Sequence, residues 1–186
     1  MSVVRGYLPY LVFAVLASVA WQWGALAALV IGLVSLARQR TSGVPANALV
    51  LDIATVVYFA LLSALAFTAP HSPLHHYTGV LSFGWLALIA WSTLAVRRPF
   101  TLGIAKLGAP RELWDNPGFL RVNVVITTVW AICFTITAAI SAILAINNAS
   151  SLVTTLIQVV AFVVPAVFTV RYPKIIQARQ AAATGI

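Results

Sequence analysis

Asp52 is the residue best placed to do chemistry in this chain. It is the one acid that falls inside a long apolar run, residues 47–67. A carboxylate in hydrocarbon is costly, so it is expected to face the bundle interior and to mark a proton or cation site or a structural polar anchor. Helical spacing places Ala48, Thr55, Phe59 and Ser63 on its face. Asn123 or one of Arg38, Arg97, Arg98 and Arg121 is the expected partner. A second polar set lies on one face of a later apolar run: Thr154, Gln158, Ala161, Pro165 and Thr169. Proline there removes a backbone hydrogen bond and frees a carbonyl one turn earlier. Gln158 is expected to line a small cavity with Ser63 or Thr135, or to bond across helices.

Other chemistry is thinly supplied. His71, His75 and His76 share a short segment, but Pro70 and Pro73 oppose a helical pair and no acid or thiol accompanies them. They read as exposed turn residues, with no metal site. Glu112 and Asp115 lie in Pro110-Arg111-Glu112-Leu113-Trp114-Asp115, where Arg111 and Arg121 are their expected partners. They lack the further carboxylates that a Mg²⁺ site for phosphoryl transfer uses. With three acids in 186 residues there is no Ser/His/Asp or Cys/His constellation. No enzyme and no cofactor are expected. The lone Cys133 sits in an apolar run and reads as a small hydrophobe.

The elements that must hold these residues are membrane helices. The chain is 62% hydrophobic and 8% charged, against roughly 25% charged in soluble domains. Its apolar stretches are continuous rather than alternating, which selects helices over a barrel. The expectation is an all-α polytopic membrane protein of one domain, residues 1–186, with six transmembrane helices as three hairpins. The helices are placed at 7–20, 23–37, 47–67, 78–96, 121–146 and 152–170. The first hairpin comes from splitting residues 8–37 at Gln22, because a single helix of that length is about 45 Å long and overshoots a ~30 Å core. Gly24, Ala28, Gly32 and Ser35 form a small-residue stripe on its second arm. Arg5 followed by an apolar stretch and Ser18-Val19-Ala20 also reads as a signal peptide, but the next apolar run begins at once.

Charge then sets the topology. Segments 21–24, 70–77 and 147–151 carry no Lys or Arg. All eleven basic residues lie near the N-terminus, in 38–46, in 97–121 or in the C-terminal tail. The positive-inside rule puts both termini and both basic loops in the cytoplasm. This placement accounts for the net charge of +8 without nucleic acid. The loop 97–120 is expected to be an amphipathic surface segment. Phe100, Leu102, Ile104 and Leu107 supply its apolar side, and Arg97, Arg98, Lys106, Arg111 and Arg121 offer contacts to anionic lipid. Even-numbered helices end alike, as in Val96-Arg97-Arg98-Pro99 and Val170-Arg171-Tyr172-Pro173, which is also what stopping at an inner face demands.

The chain resembles the bacterial intracellular septation protein A family and its small membrane relatives. The resemblance is carried by Leu8-Pro9 opening a short hairpin, by Arg97-Arg98-Pro99 before a Leu-rich loop, and by Trp114, Asn123 and Trp130-Ala131. The spacing from Asn123 to Trp130 is longer than in the septation protein itself. The resemblance implies an inner-membrane factor in envelope growth and division, working through contacts with other membrane proteins, with no catalytic residues. The competing expectation is a small transporter or channel using Asp52. Membrane lipids, other membrane or division proteins and a second copy of the chain are the expected partners.

Overall fold

The computed structural model describes residues 2–17 and 20–184. Ser18 and Val19, two residues of the cleavage-site reading, lie outside the described residues. Every regular element among the described residues is helical. The seven α-helices are α1 (Ser2–Leu16), α2 (Trp21–Thr41), α3 (Val50–Thr68), α4 (Thr78–Ala95), α5 (Phe100–Lys106), α6 (Pro117–Ile146) and α7 (Ser151–Thr184). Among the described residues, five segments are long and apolar enough to cross a bilayer: α2, α3, Pro73–Ala95, α6 and Leu152–Arg179 of α7. The chain is a multi-pass helical membrane protein. The apolar part of α1, Tyr7–Leu16, is shorter than these.

Several boundaries differ from the sequence expectation, each for a local reason. Residues 21–24 are helical and not a turn: α2 begins at Trp21, which is buried and donates its indole N–H to the Pro70 carbonyl at 3.2 Å. Helix α2 runs past Ala37 to Thr41 and stops only at Gly43, which takes φ 75°. There the Val44 N–H reaches back to Gln39 O and the Gly43 N–H to Arg40 O, the paired bonds of a Schellman cap. Helices α4 and α6 end in the same way, with Arg97 at φ 54° and Asn148 at φ 51° in the left-handed position. Helix α6 starts at Pro117 rather than Arg121. Asn116 caps it by accepting from the Gly118 N–H at 2.7 Å, with Pro117 where a missing N–H costs nothing. Helix α7 does not stop at Val170 but continues through Pro165 and Pro173.

The helices form two groups. Helices α1, α2 and α3 pack side by side, and α4, α6 and α7 do the same. Hydrophobic burial does not drive helices together in lipid, so small residues and interhelical hydrogen bonds matter more. Gly24, Ala28 and Gly32 supply the close approach: a Cβ at Gly24 would come within 3.2 Å of Ala17 N, and one at Gly32 within 3.3 Å of Val56 Cγ2. Tryptophan indoles supply the bonds. Trp85 donates to Ala54 O at 3.0 Å, tying α4 to α3, and Trp91 donates to Thr135 Oγ1 at 3.1 Å, tying α4 to α6. Trp130 donates to Thr169 Oγ1 at 2.9 Å, tying α6 to α7.

Helix α1 joins the groups. Tyr7 stacks on Trp130 of α6 at 4.5 Å and meets Phe162 of α7 at 5.0 Å. Tyr10 meets Phe59 of α3 at 5.0 Å. Phe83 of α4 completes this aromatic centre against Phe134 and Phe162.

Candidate functional site

Asp52 lies in the first turn of α3 and is 9% exposed. Leu49, at the N-cap, has no side chain able to cap the helix. A carboxylate in the first turn therefore compensates the unpaired N–H groups and the positive end of the helix dipole. Its side-chain partner is Gln39, whose Nε2 donates to Oδ1 at 2.8 Å and approaches Ser35 Oγ at 3.3 Å. Gln39 is thus the partner of Asp52 that sequence reasoning missed. It reads as loop until α2 is known to run past Ala37. The extension was signalled by Gly43, the residue able to close an α-helix in the left-handed conformation.

Asn123 is engaged elsewhere. It is 2% exposed, its Nδ2 donates to Phe119 O at 2.9 Å, and its backbone carbonyl accepts from Thr101 Oγ1 at 3.1 Å. Thr101 and Thr127 share a further hydrogen bond of 2.8 Å, which seats α5 on α6. Thr55, 1% exposed, returns its hydroxyl to Leu51 O at 2.8 Å. The Ser63 hydroxyl is buried without a hydrogen-bond partner among the described residues, as are those of Tyr7, Tyr10 and Ser141.

Gln158 does not meet Ser63 or Thr135. Its amide lies against Gly79 and Ser141, at the far end of the bundle from Asp52. Thr135 is exposed and holds Trp91. The polar face of α7 is otherwise as expected from spacing: Ala161 and Pro165 are buried, and Thr169 donates to Pro165 O at 2.8 Å while accepting from Trp130. Asp52 and Thr55 lie one turn apart on α3 with Ser63 farther along the same helix, whereas Asn123 belongs to α6 and Gln158 to α7. The aromatic centre around Tyr10, Phe59 and Phe162 lies between Asp52 and Gln158.

The segment 97–121 is folded rather than laid loosely on a surface. After the buried Pro99, α5 is wedged between α6 and the turn Ala46–Ala48, with Phe100, Thr101 and Gly103 buried. Gly103 rests on the Asn47 carbonyl, and a Cβ there would come within 2.7 Å of Ala48 Cα. Phe100 and Ile104 accordingly pack into the protein core and are not the lipid-facing side expected from sequence, whereas Leu107 is exposed. Trp114 anchors the rest, donating to Ala109 O at 3.2 Å and carrying Lys106 Nζ at 5.2 Å and the Arg111 guanidinium at 5.8 Å over its ring. Arg97, Arg98, Arg111, Glu112, Asp115 and Arg121 are exposed around this platform.

At the opposite end the turns without Lys or Arg meet one another. Trp21 reaches Pro70 and lies 6.2 Å from the His75 ring, and His76 shares a cavity with Asn148. His75 Nδ1 donates to Ser72 O at 2.8 Å, and the His75 and His76 rings are 3.8 Å apart. Among the described residues no group of three or more His, Cys, Asp or Glu is arranged to hold a metal ion.

No family model, curated protein or solved structure matches this chain.

Proposed function

We propose that this chain is a bacterial plasma-membrane protein that acts without catalysis, by binding membrane or division proteins and anionic lipid at its basic platform during envelope growth or septation. The reading takes α1 as a sixth span, antiparallel to α2, and places both termini and the platform in the cytoplasm. The segregation of Lys and Arg supports that orientation. The observation that carries the functional reading is the platform itself. Helix α5 is wedged between α6 and the turn Ala46–Ala48, so Arg97, Arg98, Arg111 and Arg121 lie exposed around a packed base. A preordered surface binds with less entropic cost than a flexible loop.

The second reading, a small transporter or channel, rests on the Asp52 carboxylate and on the unpartnered Ser63 hydroxyl farther along the same helix. The aromatic centre weighs against it, since the rings of Tyr10, Phe59, Phe83, Phe134 and Phe162 pack against one another in the middle of the bundle.

Proximity labelling tests the proposal. The labelling enzyme is fused within residues 107–116, and an unrelated multi-pass protein of similar abundance is the reference. Division or wall-synthesis proteins are expected to be enriched, and enrichment is expected to fall when Arg98 and Arg121 are both replaced by alanine. Equal labelling of the two baits, together with proton or cation flux in proteoliposomes that Asp52→Asn abolishes, would replace this reading with the transport one.

A further inference from the structure

A cavity of about 280 Å³ opens at the end of the bundle that carries no Lys or Arg. It lies between the start of α4, the end of α6 and the first turns of α7. Its polar lining is His76, Thr78, Ser141, Asn148, Thr154 and Gln158. Two of these are left with bonding capacity. Ser141 is 4% exposed, and its hydroxyl has no partner among the described residues. The Gln158 amide is held where Gly79 leaves room for it: a Cβ at 79 would stand 2.7 Å from Gln158 Nε2 and 3.3 Å from Ser141 Oγ. A buried hydroxyl without a partner is costly, so a group that enters and bonds it recovers that loss.

The lining also selects what enters. It has no carboxylate to hold a cation, because Asp52, Glu112 and Asp115 all lie toward the other end. It has no Lys or Arg to hold an anion. What it offers is a set of amides and hydroxyls, each able to donate and accept, with one imidazole. A neutral hydroxyl-rich group matches that set, because it too donates and accepts at every position. The volume lies just under the roughly 300 Å³ at which small-molecule pockets begin, which suits one ring and not a larger ligand.

We infer that this cavity is a binding site for a single neutral, hydroxyl-rich group of the sugar-ring class, held by Ser141 Oγ and the Gln158 amide. The group can come from a free sugar or from a glycolipid headgroup at the membrane surface. The inference does not depend on the platform's function or on which side of the membrane the cavity faces.

The test uses the full chain in phosphatidylglycerol nanodiscs, prepared without sugar detergents, with intrinsic tryptophan fluorescence reporting the unfolding midpoint. The probes are methyl α-D-glucopyranoside in solution and a monoglucosyl diacylglycerol incorporated in the disc. Binding to the folded state alone raises the midpoint. A rise of about 4 °C with either probe is expected, and it should vanish in Ser141→Ala and in Gln158→Leu but persist in the lipid-facing control Val163→Ala. A rise with the free sugar identifies the ring itself as sufficient, and a rise with the glycolipid alone identifies the headgroup source. No rise with either probe, or a rise unchanged in both variants, would overturn the inference and leave the cavity to water. Ser141→Ala removes one oxygen, so it keeps the test open even if Gln158→Leu does not fold.

Discussion

Asp52 and Gln39 show how a charged side chain is accommodated at the edge of a membrane bundle. The carboxylate sits in the first turn of α3 and accepts from Gln39 at 2.8 Å. Removing the donor leaves a buried charge short of a partner, whereas removing the charge leaves an amide that can still bond. Gln39→Leu is therefore expected to lower stability by about 2 kcal/mol, and Asp52→Asn by less than 1 kcal/mol. In the double variant the Gln39→Leu penalty should shrink, because no charge is left stranded. Denaturant or thermal melts of the four proteins in nanodiscs give the coupling directly, and additive effects would contradict the pairing. A second residue-scale expectation concerns Arg97. It holds φ 54° at the end of α4, a conformation that costs a residue with a Cβ about 1–2 kcal/mol. Arg97→Gly should raise the unfolding midpoint by a few degrees while the Arg98 N–H bond to Thr93 O is kept. A fall would mean that the Arg97 side chain stabilises the fold by more than the backbone strain it imposes.

Helix α5 is placed by its neighbours. It is seven residues long and held by contacts on two sides, so its place is decided by tertiary packing rather than by helix propensity. Gly103→Val puts branched carbon onto the Asn47 carbonyl and Ala48 backbone, which cannot yield as a side chain can. We expect a loss of about 1–3 kcal/mol and faster protease cleavage within 107–116 in inside-out vesicles. Unchanged cleavage would show that the platform is not built on that contact. The long apolar helices were legible in the sequence because continuous apolar runs have few other solutions. Short elements were not: 97–121 shows a mixture of apolar and basic residues that fits a lipid-facing segment as well as a docked one. Boundaries were legible only where local chemistry is strong. Asn116-Pro117 is a helix start, yet the apolar run alone places the start of α6 four residues later, at Arg121. Pro173 reads as a stop, but lipid-embedded helices can re-satisfy the carbonyl that a proline frees, and α7 runs through it. The polar residues were identified but not their companions. Asp52 was matched with Asn123 or an arginine because Gln39 lay beyond the expected end of α2. Ser63 and Gln158 share an inward disposition but sit on helices of different groups, α3 and α7, which periodicity alone does not encode.

At the scale of the whole molecule, two ends of opposite character are joined by an aromatic centre. One end gathers the basic segments around α5, and the other gathers three turns with no Lys or Arg and the Ser141–Gln158 cavity. Helix α1 is the piece on which this arrangement turns. It is about 22 Å long by its 15 residues, short of a ~30 Å core, yet its rings hold the two helix groups together. The most direct measurement is labelling of single cysteines with a membrane-impermeant maleimide, in a Cys133→Ser background, on intact spheroplasts and on inside-out vesicles. The variants are Ala20→Cys in the first turn, Leu74→Cys in the second and Gly108→Cys on the platform. Ala20→Cys and Leu74→Cys are expected to label from outside and Gly108→Cys only from inside. Labelling of Ala20→Cys from the cytoplasmic side, or of Gly108→Cys in intact spheroplasts, would contradict the six-span arrangement and the platform reading built on it.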